Sequence, residues 1–391
     1  MSAKPCRVLF LSATGRIGGA ERSLIELIGA LPRERVEPYV ACPSDGPMLE
    51  MLRKSGVRAY EVGFRRYRRT LHPFILAGQI KALFLSSVQV GRLCDKNDIQ
   101  AIHANTDSTA IVAWEVCRTG RWPFIWHARD LRPLGRIGRL LGARAERVVA
   151  ISETVASHLV SQRVPREKIR LVMNGIDMSR FDKEVLAGAR EDIRRELGVP
   201  PEAIVLASAG MFVPWKRHED FLSLVYVIRK NRSDVYGLLA GDDLFEQNEE
   251  YAASLRKMIE DLALRDAVRL TGYREDVPRL LAASDIFVST SEREPFGRSI
   301  VEAMAAGLPV VSTFSGAKGE IIEDGRTGFL VPMGRAGAMV EACEKLILDG
   351  GLRKSFSEAG CARARDLFDV KRTAREIADI YAEITGDRDG R

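Results

Sequence analysis

Short apolar runs alternate with longer amphipathic stretches along almost the whole chain. A short apolar run between turn residues is typical of a buried strand, and apolar residues at helical spacing indicate a helix. The predicted strands are 7–11, 36–41, 57–62, 99–103, 123–127, 147–151, 169–173, 204–209, 235–240, 268–270, 285–290 and one that begins at residue 310. Predicted helices lie between and after them, at 20–31, 47–55, 74–95, 246–264, 298–306 and 370–385. Regular alternation of this kind predicts an α/β fold with parallel sheets.

Residues 284–311 carry the strongest candidate chemistry. A strand leads into the polar loop 291–295, and the helix after it is ended by Gly307 as a C-cap. Such a loop lies at the carboxyl end of a strand, where open α/β sheets bind ligands. Glu302 follows Glu294 by close to two helical turns, so we expect both carboxylates on nearly the same face. Carboxylates for hydroxyl groups and helix N–H groups for an anion predict a site for a polyhydroxylated phosphate ester.

Length and composition restrict the class of protein. A chain of 391 residues is long enough for two domains, and 46% hydrophobic and 29% charged residues are typical of a soluble globular protein. The six cysteines show neither a CxxC pair nor metal-ligand spacing, so we interpret them as reduced thiols in a cytosolic protein. The sequence contains no signal-peptide apolar region and no run of 18 apolar residues, so no membrane-spanning segment is predicted.

The net charge of +6 hides an asymmetry between the two halves of the chain. Residues 1–180 contain 29 Lys and Arg against 16 Asp and Glu, whereas residues 181–391 contain 30 against 37. The basic half predicts an anionic partner, for which nucleic acid and an anionic lipid leaflet are the candidates. The stretch 63–74, GFRRYRRTLHPF, and the helix after it are typical of an interfacial basic and aromatic element. Its candidate membrane contacts are Arg65, Arg66, Arg68 and Arg69.

Four motifs occur in one combination. They are GGAE at 18–21, NGID at 174–177, EPFGRSIVEAMAAGLPVV at 294–311 and SGAKGEIIEDGRTGFLVP at 315–332. Together they resemble the retaining glycosyltransferases of family 4. The resemblance implies a GT-B fold, in which two Rossmann-like domains face each other with a cleft between them. Residues 1–176 would form the acceptor-binding domain and 177–369 the nucleotide-sugar-binding domain, and a C-terminal helix at about 370–391 would cross back onto the first domain.

The same resemblance implies roles for individual residues. Glu294 and His127 are the predicted catalytic residues, because the family's equivalents lie against the donor sugar. The implied donor-binding residues are Gly18, Gly19, Lys216, Arg217, Tyr273, Phe296, Gly297, Arg298, Ser299 and Glu302. Glu21 and Asp130 are implied on the acceptor side.

The chain departs from the family pattern at one of the two cations that hold the donor diphosphate. Lys216 matches the family's lysine, but Met211 stands where the family has an arginine. Arg217 is the expected substitute. We therefore expect weaker binding of the donor.

The resemblance implies a retaining hexosyltransferase that moves a sugar from a nucleotide diphosphate sugar to a glycan or lipid-linked acceptor, in cell-envelope polysaccharide or lipopolysaccharide synthesis. No cofactor beyond this co-substrate and no metal are expected. Two alternatives stay open: another GT-B enzyme, such as a phosphorylase or a nucleotide-sugar epimerase, and an inactive nucleotide-sugar-binding protein. The predicted location is the cytoplasm, including the inner face of the cytoplasmic membrane. No nucleic-acid partner is expected, because the sequence shows no recognised nucleic-acid-binding motif.

Overall fold

The apolar runs of the N-terminal half form one parallel sheet in the computed structural model, which describes residues 4–64, 72–119 and 121–386. Its strands are β1 (Cys6–Leu11), β2 (Val36–Cys42), β3 (Arg58–Glu61), β4 (Ala101–Ala104), β5 (Phe124–Ala128), β6 (Arg147–Ala150) and β7 (Ile169–Leu171). They lie in the order β3-β2-β1-β4-β5-β6-β7. Because helices cover a parallel sheet on both faces, its central strands carry near-continuous apolar runs, as at 8–11 of β1.

Helices connect these strands, as parallel pairing requires. They are α1 (Gly19–Ala30), α2 (Met48–Lys54), α3 (Pro73–Lys96), α4 (Asp107–Val116), α5 (Arg136–Arg144) and α6 (Glu153–Ser161). Local sequence signals set several of the helix starts. Ser152, for example, accepts a hydrogen bond from the Val155 N–H at 3.1 Å and so caps α6.

The second half of the chain restarts the alternation, as predicted. Its strands are β8 (Ile204–Ala209), β9 (Val235–Ala240), β10 (Val268–Gly272), β11 (Ile286–Ser289), β12 (Val310–Thr313) and β13 (Gly328–Val331), in the order β10-β9-β8-β11-β12-β13. Its helices are α7 (Lys183–Leu186), α8 (Ala189–Glu196), α9 (His218–Arg229), α10 (Glu249–Asp261), α11 (Val277–Ala282), α12 (Arg298–Ala305), α13 (Lys318–Ile321), α14 (Ala336–Leu348) and α15 (Gly350–Leu367).

The last helix, α16 (Val370–Gly386), belongs to the N-terminal sheet rather than to the C-terminal one. The chain divides into a first unit, Met1–Gly175 with Val370–Arg391, and a second unit, Ile176–Asp369. Ile377 and Tyr381 of α16 are fully buried in the hydrophobic core of the first unit. The sequence placed the boundaries after residues 176 and 369, within one residue of this division.

In each sheet the strand order reverses beside the first strand. β1 lies between β2 and β4, and β8 lies between β9 and β11. Loops that leave two such neighbours at their carboxyl ends diverge toward opposite faces of the sheet, and ligands bind in the crevice between them. The candidate positions are therefore the ends of β1 and β4 in the first unit, and of β8 and β11 in the second.

The structure corrects one expectation, that no segment is apolar enough to cross a membrane. Within the described residues, Phe74–Lys96 of α3 is long and apolar enough to do so by length and composition. The criterion of an uninterrupted apolar run failed because Lys81 and Gln79 interrupt the helix without removing its apolar character. Val90 of the same helix is fully buried, so α3 is also part of the helical layer of the first unit.

Candidate functional site

The loops after β8 and β11 meet at the reversal point of the second sheet. Lys216, after β8, and Glu294, after β11, form an ion pair with 2.6 Å between Nζ and Oε2. Their side chains are only 12% and 9% exposed. Two of the residues predicted to contact the donor thus lie together, although 78 positions separate them in the sequence.

Backbone contacts hold these two loops against each other. The Glu292 N–H donates to the Trp215 carbonyl at 2.8 Å, and the Thr290 hydroxyl donates to the Lys216 carbonyl at 3.0 Å. The Lys216 ammonium also lies 4.7 Å from the centre of the Trp215 ring, a distance typical of a cation–π contact. Hydrogen bonds to backbone carbonyls therefore fix the two loops that carry the ion pair.

The loop after β12 closes on Glu294 from its other side. The Ala317 N–H donates to the Glu294 carbonyl at 2.9 Å. A Cβ on Gly316 would lie 2.3 Å from that same carbonyl oxygen, and the φ of Gly316 is +57°. Only glycine allows this close approach without strain. The glycine-containing motif at 315–332 thus packs directly against the backbone of Glu294.

The helix after Glu294 begins at Arg298, where the sequence predicted it, and Gly297, with φ of +119°, is its N-cap. Glu294 lies in the preceding loop, also as predicted. Helical spacing therefore does not place its carboxylate on one face with that of Glu302, because only Glu302 belongs to the helix. Glu302 instead accepts a hydrogen bond from Arg298 Nε at 2.9 Å, one turn earlier in α12. The two carboxylates therefore have different partners. Glu294 pairs with Lys216 of the neighbouring loop, and Glu302 pairs with Arg298 of its own helix.

The other predicted donor-binding residues of the second unit lie at the start of α12 and after β10. Phe296 is buried and packs edge-on against Phe368, with 5.7 Å between ring centroids. No side chain caps the N-terminus of α12 at Gly297, where Arg298 and Ser299 begin the helix. Tyr273 lines a separate cavity of about 640 Å³ beyond the end of β9, together with acidic residues such as Asp242. Their contacts with a donor stay predictions.

Arg217, the expected substitute for the arginine that Met211 replaces, pairs with carboxylates of the helix that follows it. Its backbone adopts a left-handed conformation, with φ of +53°. Its guanidinium binds the Asp220 carboxylate at 2.7 and 3.1 Å, and Glu219 lies 3.9 Å away. These carboxylates, Asp220 first, raise the pKa of Arg217. The guanidinium thus pairs with the first turn of α9, and its contact with a donor diphosphate stays a prediction.

Lys318 is a residue that the sequence analysis missed. Its side chain is fully buried, which is rare for a lysine. Nζ donates to the Ser291 carbonyl and to the Thr313 hydroxyl, each at 2.7 Å. Burial lowers the pKa of Lys318 to about 7, while Glu294 acts in the opposite direction. Sequence alone offered one signal, a lysine within the glycine-rich motif at 315–332.

In the first unit, His127 near the end of β5 belongs to a buried hydrogen-bond network. Its Nδ1 lies 3.3 Å from Arg129 Nη2 and 3.0 Å from His103 Nε2. Because an arginine can only donate, His127 Nδ1 accepts, and His103 therefore donates from Nε2. His103 Nδ1 in turn accepts from the Tyr381 hydroxyl at 2.6 Å. The proton of neutral His127 is then on Nε2, a buried atom with no hydrogen-bond partner among the described residues.

Both histidines are neutral near pH 7. Burial, followed by the Arg129 charge, lowers the pKa of His103 to about 3 and that of His127 well below 6.5. Arg129 also donates to Asn105 Oδ1 at 2.9 Å and to Asn174 Oδ1 at 3.0 Å. His127 thus offers one oriented N–H donor to a ligand atom. Its predicted contact with a donor sugar stays a prediction.

The remaining predicted residues of the first unit lie at the end of β1 and after β5. The buried Glu21 carboxylate accepts from the Gly18 N–H at 3.2 Å, so it caps α1 from within. A Cβ on Gly19 would meet no described heavy atom within 4 Å, which leaves room beside the loop. Asp130 is 44% exposed and pairs with Arg132 at 2.9 Å. The acceptor-side roles of Glu21 and Asp130 stay predictions.

The arrangement in the second unit suits a ligand that carries both hydroxyl groups and an anion. A buried lysine and carboxylate neutralise each other, at a desolvation cost that their attraction must offset. When a ligand binds, a diphosphate can take the place of the Glu294 carboxylate beside Lys216. Sugar hydroxyls can then hydrogen-bond to Glu294 in place of the lysine. Among the described residues, no cluster of three His, Cys, Asp or Glu side chains could hold a metal ion.

Two family models match the chain, one in each half. The model described as Glycosyltransferase Family 4 matches residues 17–180, and the model described as Glycosyl transferases group 1 matches residues 189–363. Together they span most of both units. The chain belongs to this glycosyltransferase family.

Individual relatives agree with this assignment. The glycosyltransferase is 27% identical over 376 residues to the lipopolysaccharide core biosynthesis glycosyltransferase LpsE of Rhizobium meliloti, covering 96% of this chain and 97% of LpsE. It is 26% identical to the mannosyltransferase LpsB of the same organism, covering 63% of this chain and 68% of LpsB. The crystal structure of Anabaena HepE in complex with UDP and glucose matches with a TM-score of 0.82 at 26% identity, covering 96% and 99% of the two chains.

These similarities confirm two of the predictions. The family is the one that the motifs indicated, and the fold class is α/β of the GT-B type. The activity is confirmed at the level of a glycosyltransferase.

Proposed function

We propose that this glycosyltransferase moves a hexose from a nucleotide diphosphate sugar to a glycan or lipid-linked acceptor, with retention of configuration. The Lys216–Glu294 ion pair at the reversal point of the second sheet carries the proposal, because a diphosphate sugar supplies a matching partner for each member. UDP-sugars are the first donors to test, since HepE has been solved with UDP and with UDP-glucose.

In the proposed reaction, Lys216 stabilises the departing diphosphate and Glu294 binds the sugar. The negative charge that develops on the leaving oxygen is met by the Lys216 ammonium and by N–H groups of the loop. The transition state has oxocarbenium character, which a nearby carboxylate favours. The acceptor hydroxyl attacks the sugar on the same face that the diphosphate leaves, which gives retention, and its proton passes to the departing phosphate oxygen. The chain's own cation makes a metal unnecessary.

The relatives support an acceptor in the cell envelope. LpsE and LpsB both act in lipopolysaccharide core biosynthesis, according to their names. We therefore propose a role in lipopolysaccharide or polysaccharide synthesis, from a cytoplasmic location.

A thermal-shift series tests the donor. We expect UDP and UDP-glucose to raise the midpoint of unfolding, with and without EDTA, because a ligand that binds only the native state stabilises it by RT ln(1 + [L]/Kd), about 2.7 kcal/mol at 100 Kd. GDP and ADP serve as controls. A shift with GDP or ADP alone would change the proposed base, and a shift abolished by EDTA would contradict metal independence. No shift with any nucleotide, together with phosphate-dependent sugar release, would favour a phosphorylase, for which Met211 is the supporting observation.

The exposed apolar face of α3 supports the proposal that the enzyme binds its acceptor at a lipid surface. Phe74 is 83% exposed, Phe84 64% and Ile80 59%. Ile80 and Phe84 lie one turn apart on one side of the helix, with Lys81 exposed between them. Helices that follow parallel strands start at the carboxyl edge of the sheet, so this face begins at the edge that carries Gly18 and Gly19.

The positive charge of the residues that precede α3 indicates which kind of lipid surface the protein binds. The candidate membrane contacts Arg65, Arg66, Arg68 and Arg69 directly precede α3 in the sequence; they lie outside the residues that the structure describes. A second copy of the chain would bring these cations against each other, whereas an anionic leaflet would neutralise them. We therefore propose peripheral binding to anionic lipid on the inner face of the cytoplasmic membrane.

Sedimentation with vesicles of phosphatidylglycerol and phosphatidylethanolamine tests this binding. We expect the Ile80→Ser/Phe84→Ser variant to bind at least about tenfold more weakly, since burying one large apolar side chain contributes about 1.5 to 3 kcal/mol. Replacing the four arginines by glutamine should weaken binding by roughly 10³-fold at low salt, at about 1 kcal/mol for each cation. Leu348→Ser is the matched control, because Leu348 is 76% exposed in the second unit. Equal binding by all four proteins, or a salt-independent dimer in place of vesicle binding, would contradict the proposal.

A further inference from the structure

Three hydrogen-bond donors converge on one carbonyl group at the start of the loop that carries Glu294. The Ser291 carbonyl accepts from Lys318 Nζ at 2.7 Å, from Ser315 Oγ at 2.8 Å and from Thr313 Oγ1 at 2.9 Å. A carbonyl oxygen has two lone pairs, so three donors fully occupy it. All three come from the end of β12 and the turn after it, the strand next to β11 in the sheet.

Lys318 is the only charged member of this set, and its burial is complete. A charged group out of water is costly unless it is paired and hydrogen-bonded, so a lysine in this place needs a compensating contact. The compensation comes from the Ser291 carbonyl, the Thr313 hydroxyl and the electrostatic attraction of Glu294. Lys216 acts on it with the opposite sign. Two lysines thus interact with one carboxylate: Lys216 by a direct ion pair and Lys318 by electrostatic attraction.

We propose that Lys318 is a positioning residue of the donor site, which fixes the Ser291 carbonyl and through it holds Glu294 in reach of the donor sugar. The inference rests on the proposed function of Glu294. Lys318 itself does not touch the donor in this scheme, because its side chain is fully buried.

The charge of Lys318 adds a second consequence. Its pKa, which burial lowers to about 7, places its deprotonation within the working pH range. Below pH 7 the site carries one more positive charge, which favours an anionic diphosphate, and this charge is lost as the pH rises through 7. The charged groups that act on Lys318 are Glu294 from the loop and Lys216 from the segment after β8; its contacts on β12 and in the loop are neutral.

The test compares Lys318→Met, Lys318→Gln and Ser315→Ala with the native protein. We expect Lys318→Met to lose about 10²-fold in kcat for release of nucleoside diphosphate, since a small misplacement of a catalytic group has effects of that size. Lys318→Gln keeps an N–H donor and should recover part of the loss. Above pH 7, kcat/KM for the donor should fall in the native protein and stay flat in both variants. Lys354→Met, at a lysine with 76% exposed side chain, is the matched control.

Hydrogen exchange gives a readout that does not depend on activity. The amides of 291–296 should exchange about tenfold faster in Lys318→Met than in the control, with the rest of the second unit unchanged. Ser315→Ala removes one hydrogen-bond donor to the Ser291 carbonyl without removing a buried charge. It should also accelerate exchange in this loop, and it replaces Lys318→Met in the test if that variant does not fold. Native exchange and native kinetics in the Lys318 and Ser315 variants would overturn the inference. If Glu294→Gln also kept native turnover, the proposed function would fail instead.

Discussion

Replacing Glu294 with glutamine should lower kcat by about 10² to 10³-fold, equivalent to about 2 to 4 kcal/mol of transition-state stabilisation. Glutamine keeps the shape of the side chain but removes the charge that favours an oxocarbenium-like transition state. The measurement is release of nucleoside diphosphate from the nucleotide sugar that binds best, at saturating donor.

The same substitution has a structural effect that must be separated from the catalytic one. It leaves Lys216 without its counter-ion in a site where both side chains are about nine-tenths buried. Removing one partner of a buried ion pair destabilises a protein by roughly 3 to 5 kcal/mol, so the midpoint of unfolding should fall as well. Glu341→Gln, at an exposed position of α14, is the matched control. Native turnover in Glu294→Gln would refute the assignment of the site.

Replacing Lys216 with alanine should lower kcat/KM for the donor by about 10² to 10³-fold and should abolish the thermal shift caused by the nucleotide. The effect is expected to be large because the site has little else to bind the diphosphate. Met211 occupies the place of the family's arginine, and Arg217 is bound to Asp220.

Two comparisons make this second result decisive. Lys354→Ala removes an exposed lysine of the same unit and should leave both quantities unchanged. The double variant Lys216→Met/Glu294→Gln removes both charges, and should be more stable than either single variant because neither member of the pair is left buried without the other. Its activity should nevertheless be no higher than that of either. A Lys216→Ala protein that still binds nucleotide and turns over normally would show that the diphosphate is held elsewhere.

Much of the fold could be predicted from local patterns. The predicted strands 204–209 and 235–240 coincide with β8 and β9, because uninterrupted apolar runs bounded by turn residues have few other ways to be buried. Helix starts were less certain. The helix predicted at 246–264 covers only Glu249–Asp261, because Glu246 and Ala263 beyond its ends have positive φ, +54° and +53°.

Short motifs were enough to predict candidate residues of the site. Contacts between segments that are far apart in the sequence were not predicted. Glu294 and Lys216 were identified from motifs, and the structure joins them. The helical-face argument for Glu302 does not hold, because Glu294 lies in the loop before the N-cap Gly297, where helical spacing does not apply. Arg217 was assigned by proximity in sequence, but a carboxylate one turn later binds it. His103 and Tyr381 could not be anticipated, since 278 positions separate them.

The sequence by itself determined the α/β class, the division into two units and the identity of the acidic and basic residues at the ends of β8 and β11. These follow from periodicity and from short motifs, which depend only on neighbouring residues. Only the tertiary structure decided which charges meet, which proton His127 carries and why Lys318 is buried. The physical reason is that burial, ion pairing and tautomer choice depend on atoms that the sheet brings together from strands far apart in the chain.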